Sequence, residues 1–137
     1  MSKILVTGGL GYIGSHTAIK FFEAGHRVVL FDNFSNSRPE LLNNLRIIAN
    51  HEFSFIKGDV QDFDLVSDTL SQHNIDAVIH FAALKAVGES VGKPIKYYRN
   101  NINSLLSILS SMEKFDCSFI VFSSSATVYG DADKFPI

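Results

Sequence analysis

The chain has a single cysteine, Cys117, in 137 residues, so no internal disulfide can form. That excludes a disulfide-stapled secreted scaffold, and a lone thiol fits a reducing, cytoplasmic setting. Charge is also scarce, at 19% of residues with a net charge of -2. Lacking a basic footprint, the chain is expected to bind neither nucleic acid nor a membrane surface. No apolar run approaches the roughly 18 residues of a membrane span, and Ile4 to Val6 is too short for a signal peptide. The histidines at 16, 26, 51, 73 and 80 are scattered, none paired with cysteine or carboxylate at ligand spacing, so no metal site is expected. Repeats, low-complexity stretches and interdomain linkers are absent too.

What is present is an alternation of short β-rich runs with longer segments of helical period. Hydrophobic residues make up 46% of the chain, enough for one domain with a sizeable core. Strands are predicted at 4–7, 27–31, 53–56, 77–81 and 119–122. Helices are predicted at 12–24, stopped by Gly25, at 38–49, at about 62–72, and from Pro94 to about Glu113. The strands are continuous apolar runs, which predicts that both sheet faces are covered. The fold class that follows is α/β, a doubly wound parallel sheet of Rossmann type. In such sheets a ligand lies beyond the carboxyl ends of the strands. The polar and glycine clusters of this chain, at 7–14, 32–37, 58–59, 81–85 and 123–125, all fall at those ends.

Gly8, Gly11 and Gly14 follow the first strand at G-x-x-G-x-x-G spacing. Such glycines permit a tight turn, let backbone approach a pyrophosphate at a helix N-terminus, and allow the helix to lie close on the sheet. Asp32, about twenty residues on at the end of the second strand, can accept hydrogen bonds from the adenosine ribose. A carboxylate there favours NAD over NADP, with Arg38 the nearby residue arguing the other way; the alternative role for Asp32 is a turn or cap. Asp59 either meets the adenine edge or caps the helix near residue 62. Phe81, Ala82, Ala83, Leu84 and Lys85 end the fourth strand. Small residues there let a cofactor lie against backbone, while Lys85 either meets phosphate or a sugar hydroxyl or is solvated. Ser125 ends the Ser123-Ser124-Ser125 run facing the same crevice, either to hydrogen-bond a reacting hydroxyl or to satisfy backbone groups. No triad partners accompany it, so hydrolysis is unsupported. His80 reads as a core residue or one lying just behind the site. Phe21, Phe22 and the stripe Tyr98, Ile102, Leu105, Leu109, Met112 read as packing, with part of that helix open to a partner instead.

Thr7 to Gly14 resembles the T-G-x-x-G-x-x-G signature of the extended short-chain dehydrogenase/reductase superfamily. More narrowly, the runs 8–17, 32–37, 80–90 and 122–130 resemble the UDP-glucose 4-epimerases, Leu84 to Ser90 most specifically. The resemblance implies tightly held NAD that returns unchanged, a UDP-hexose substrate passing through a 4-keto intermediate, and a homodimer formed through the helix from Pro94. It also implies cofactor contacts from Tyr12, Ile13, Asp32, Asn33, Phe34, Ser35, Asn36 and Ser37, then Asp59, Val60, Phe81 to Lys85 and Asn100, with Ser125 assisting at the reacting hydroxyl. The family's tyrosine of Y-x-x-x-K is not found: four residues beyond Tyr12, Tyr97, Tyr98 and Tyr129 stand His16, Asn101, Ile102 and Asp133. The expectation is an incomplete NAD-binding domain, without later strands or a substrate domain, that binds NAD, does not epimerise, and bares apolar surface. The alternatives are a non-catalytic NAD-binding module, or an epimerase or dehydratase of another nucleotide sugar.

Overall fold

A computed structural model describes residues 1–130, the side chains of 126 and 127 excepted; Asp133 and the terminal Phe135-Pro136-Ile137 lie outside the described residues. The strands are β1 (Lys3–Thr7), β2 (Arg27–Asp32), β3 (Ser54–Lys57), β4 (Ala77–His80) and β5 (Phe119–Phe122). Between them run α1 (Tyr12–Glu23), α2 (Glu40–Ala49), α3 (Phe63–His73), α4 (Val87–Gly92) and α5 (Pro94–Lys114), and a 3-10 turn, Ala126–Tyr129, follows β5. The strands form one parallel sheet in the order β3-β2-β1-β4-β5. The doubly wound class is the one expected. The order reverses between β1 and β4, which opens a crevice above that junction.

Successive strand residues feed opposite cores, as the pleat requires. Leu5, Val29, Phe31 and Val78 pack with Val66 and Leu70 of α3 and Ile108 and Met112 of α5. Ile4, Val6, Val28, Leu30 and Ile79 pack on the other face with Ala18 of α1 and Leu45 of α2. Chain reversals follow local chemistry. Gly25 takes φ +84 just past α1, and Asn50 and Asn74 take left-handed positions past α2 and α3.

Three expectations change. The short α4 stands where only a loop was predicted. The apolar stripe of α5 divides: Tyr98, Ile102 (50% exposed) and Leu109 face outward, Leu105 is half-buried, and Met112 packs in the core as expected, on a buried side that also carries Tyr97, Ser104, Ser107, Ile108 and Ser111. Small serines let α5 approach α3 closely, with Ser67 Oγ 3.0 Å from Ser111 Oγ. Finally, both faces are covered only over the central strands. Phe119, Val121 and Phe122 of β5 are exposed.

Among the described residues no helix is long and apolar enough to cross a membrane, and no cluster of histidine, cysteine and carboxylate side chains could hold a metal ion.

Candidate functional site

A cleft of about 430 Å³ opens beyond the carboxyl ends of β1, β2, β3 and β4. The glycine turn forms its floor. Gly8 holds φ +64, and a Cβ there would stand 2.9 Å from Ala82 N. Gly14 lies beneath: its missing Cβ would come within 2.2 Å of Gly8 O. Backbone therefore replaces side chain at both positions, and α1 starts directly under the open floor. Its N-cap, Gly11, supplies no side chain to the first turn, so the N–H groups there lack a side-chain cap where Gly11 and Tyr12 line the cleft.

Asp32 is the last residue of β2 and is buried at 8% exposure. Its Oδ1 accepts from Phe34 N at 2.9 Å and Ser37 Oγ at 2.7 Å, and its Oδ2 accepts from Leu10 N at 3.1 Å. A carboxylate offers about four acceptor positions, so one is left on Oδ2 of a residue that lines the cleft. The same group thus orders the 32–37 loop and keeps capacity for a ligand hydroxyl.

Asp59 resolves one open alternative. Asp62, not Asp59, caps α3, accepting from Leu65 N at 3.1 Å. Asp59 accepts instead from Gln61 N at 2.9 Å and Asn33 Nδ2 at 3.2 Å, which ties the ends of β2 and β3 together at the cleft rim.

The far wall is the segment after β4. Phe81 N donates to Thr7 O at 3.1 Å and Ala82 N to Thr7 Oγ1 at 3.4 Å. Lys85 is exposed and also lines the cleft. Behind the wall His80 is buried at 2% exposure, as expected, and burial pulls its imidazole pKa down to about 4, leaving the ring neutral.

Most predicted residues meet in this one cleft: Gly8, Gly11, Tyr12, Asp32, Asn33, Ser35, Asn36, Ser37, Asp59, Val60, Phe81 to Lys85 and Asn100. Gly14 acts from below. Ile13 is exposed on α1 outside the lining, and Phe34 turns away at φ +60 to pack on Phe55, ring centroids 5.3 Å apart. Ser125 follows β5 outside the lining; its carbonyl accepts from Val128 N at 3.2 Å. Among the lining residues that sequence reasoning missed are His16 and Ser104. Each stands four residues beyond a predicted helical residue, Tyr12 and Asn100, so helical spacing alone could have found them.

Two further depressions, about 1030 and 510 Å³, open at the opposite end of the strands. They are larger but gather none of the strand-end clusters, so the chemistry belongs to the smaller cleft.

Residues 5–137 match the family model described as GDP-mannose 4,6 dehydratase. The chain is 49% identical over 136 residues to a UDP-glucose 4-epimerase of Neisseria meningitidis serogroup B, covering 99% of this chain and 40% of that protein. It is 48% identical over 134 residues to a UDP-glucose 4-epimerase sequence from Klebsiella pneumoniae, covering 98% of this chain and 96% of that sequence. A crystal structure of UDP-glucose 4-epimerase from Bifidobacterium longum in complex with NAD+ and UDP superposes with a TM-score of 0.95 at 47% identity, over 99% of this chain and 41% of that one. The chain thus spans about two fifths of the length of the Neisseria and Bifidobacterium proteins.

Proposed function

Because the chain belongs to the UDP-glucose 4-epimerase family, we propose that residues 1–137 are the NAD-binding portion of an enzyme that interconverts UDP-glucose and UDP-galactose. The observation that carries this reading is the convergence of the glycine turn, Asp32 and the segment 81–85 on one cleft.

The cleft fits a dinucleotide. Gly8 and Gly14 leave space that a Cβ would fill, the N-terminus of α1 favours a pyrophosphate, and Asp32 keeps an acceptor position for ribose. Bound NAD supplies a hydride acceptor, and later a hydride donor, at C4 of the sugar. This chain's residues bind and orient it: Asp32 holds the adenosine ribose, Asp59 and Asn33 frame the adenine side, and Tyr12 and Asn100 flank the opening. Phe81 to Lys85 give it a smooth backbone wall, with Lys85 placed to meet phosphate or a sugar hydroxyl. Ser125, beyond β5, is assigned to the reacting hydroxyl.

Within residues 1–137 no tyrosine has a lysine four positions on, so these residues by themselves bind NAD without turnover. Cytoplasmic residence accords with the single thiol, and the outward stripe of α5 is assigned to a homodimer contact. The match to the GDP-mannose 4,6 dehydratase model favours one second reading, a dehydratase or epimerase of another nucleotide sugar.

The test is to titrate NAD into residues 1–137 and to assay the protein that carries them on UDP-galactose. Binding without turnover in the first, and UDP-glucose formed in the second, is the expected result. Activity confined to another nucleotide sugar would replace the substrate, and absence of NAD binding in both would overturn the reading.

A further inference from the structure

We propose that Asn101, a residue of α5 outside the lining of the cleft, is a positioning residue that sets the cleft wall facing the nicotinamide half of the dinucleotide. The inference rests on the NAD reading above. Leu84 N donates to Asn101 Oδ1 at 2.9 Å, and Asn101 Nδ2 donates back to Leu84 O at 3.0 Å. One side chain thus satisfies both backbone groups of one residue, the exchange that a directly opposite residue makes in an antiparallel strand pair. It does so where pairing has run out, because β4 ends at His80 and the bonds to Thr7 reach only as far as Ala82.

Few side chains can perform this exchange. An amide carries an acceptor and a donor on one planar group, whereas a carboxylate or a hydroxyl offers a different complement. Asparagine is a poor residue for a helix interior because its side chain competes for backbone bonds. In α5 that capacity is turned outward, onto the neighbouring loop. The amide is also held in place: Asn100 Nδ2 donates to Asn101 Oδ1 at 3.0 Å, and Gln61 Nε2 joins Asn100 Oδ1 to Asp59 Oδ1 at 3.3 Å on each side. A continuous run of polar contacts therefore crosses from the rim at β3 to the wall at Leu84.

The wall is pinned at two points, Thr7 near its start and Asn101 at its far end. In this sheet order β4 lies on the opposite side of β1 from β2. The acid ending β2 takes the adenosine ribose and the turn after β1 takes the pyrophosphate, so the segment after β4 meets what lies beyond the pyrophosphate. Loosening Leu84 should weaken that half alone.

The experiment measures dissociation constants for NAD and for AMP by calorimetry, in the intact protein freed of nucleotide, for the parent and for Asn101→Ala and Asn101→Asp. AMP reports the Asp32 side only. Asn101→Asp matches the parent in size and keeps the acceptor for Leu84 N, but sets a second acceptor against Leu84 O, so it serves where the alanine variant fails to fold. Loss of the paired hydrogen bonds should weaken NAD by about ten-fold. AMP should stay within about two-fold of the parent, because its contacts lie elsewhere. A merely structural role would move both ligands by one factor, and that result overturns the inference, as does unchanged NAD affinity. A parent that binds neither ligand overturns the NAD reading itself, and this inference with it.

Discussion

Thr7 Oγ1 lies 2.6 Å from His80 Nδ1, a buried contact between adjacent strands directly beneath the cleft wall. The same hydroxyl oxygen accepts from Ala82 N at 3.4 Å, so the neutral imidazole is part of what seats the wall. The His80 pKa is lowered from 6.5 to about 4 by burial. The unfolded chain therefore takes up a proton below about pH 6.5 that the folded chain refuses until about pH 4. Stability should decline as pH falls through that window, by an amount approaching roughly 3 kcal/mol. In His80→Asn the side-chain oxygen can still meet the Thr7 hydroxyl, yet nothing titrates. Urea denaturation at pH 7 and pH 4.5 should show a shallower acid loss in the variant, and equal losses would sink the assignment.

Two glycines with different surroundings give an internal contrast. At Gly14 an added methyl meets the Gly8 carbonyl backbone, so Gly14→Ala should cost roughly 1–3 kcal/mol and disrupt NAD binding by lifting α1 from the turn. At Gly25 nothing lies within 4 Å, and only φ +84 opposes a side chain. Gly25→Ala should cost about 1 kcal/mol and leave NAD affinity unchanged. Thermal melts and NAD titrations on both variants check this; equal effects on binding would contradict the placement of the floor.

Asp32 has two duties, and its substitution should reveal both. Asp32→Ala releases Leu10 N, Phe34 N and Ser37 Oγ and removes the ribose acceptor. NAD affinity should fall by roughly 10–100-fold, at about 1.4 kcal/mol per factor of ten. The preference for NAD over NADP should narrow, since the charge that repels a 2'-phosphate is gone. Unchanged NAD affinity would mean that the carboxylate orders its loop and nothing more.

The parts of this fold legible in the sequence are those where one local signal decides the outcome. Continuous apolar runs gave the central strands, β1 running up to Gly8 and β2 ending at Asp32, and the strand ends gave the cleft. α4 was not legible because Val-Gly-Glu-Ser-Val-Gly has weak helix formers and no apolar period. It is held by Glu89, which accepts from Lys93 and Lys96 at 3.2 and 2.9 Å and from Tyr97 Oη at 2.8 Å, and whose pKa those partners, Lys96 foremost, lower to about 2. In α5 the period was visible but its direction was not. The buried side there sets Ser104, Ser107 and Ser111 beside Ile108 and Met112, and the serines let the helix approach α3 closely. Phe34 looked like part of a binding loop, yet its positive φ turns the ring onto β3.

That division of the α5 stripe yields the last prediction. Ile102 and Leu106 are 50% and 54% exposed on the outward side of the helix, beside Tyr98 and Leu109, so charge placed there meets solvent in the monomer. Ile102→Glu and Leu106→Glu should each change the folding stability of a monomer by no more than about 0.5 kcal/mol. If the stripe is a homodimer contact, the paired substitution buries two carboxylates in an apolar interface without partners, and the dimer should dissociate. Sedimentation of the intact protein should then show a dimer for the parent and a monomer for the double variant. The opposite side supplies the control: Ser111 is fully buried against Ser67, so Ser111→Leu overpacks the α3–α5 contact and should cost roughly 1–3 kcal/mol. A double glutamate variant that stays dimeric would return the stripe to solvent and remove the helix from the assembly.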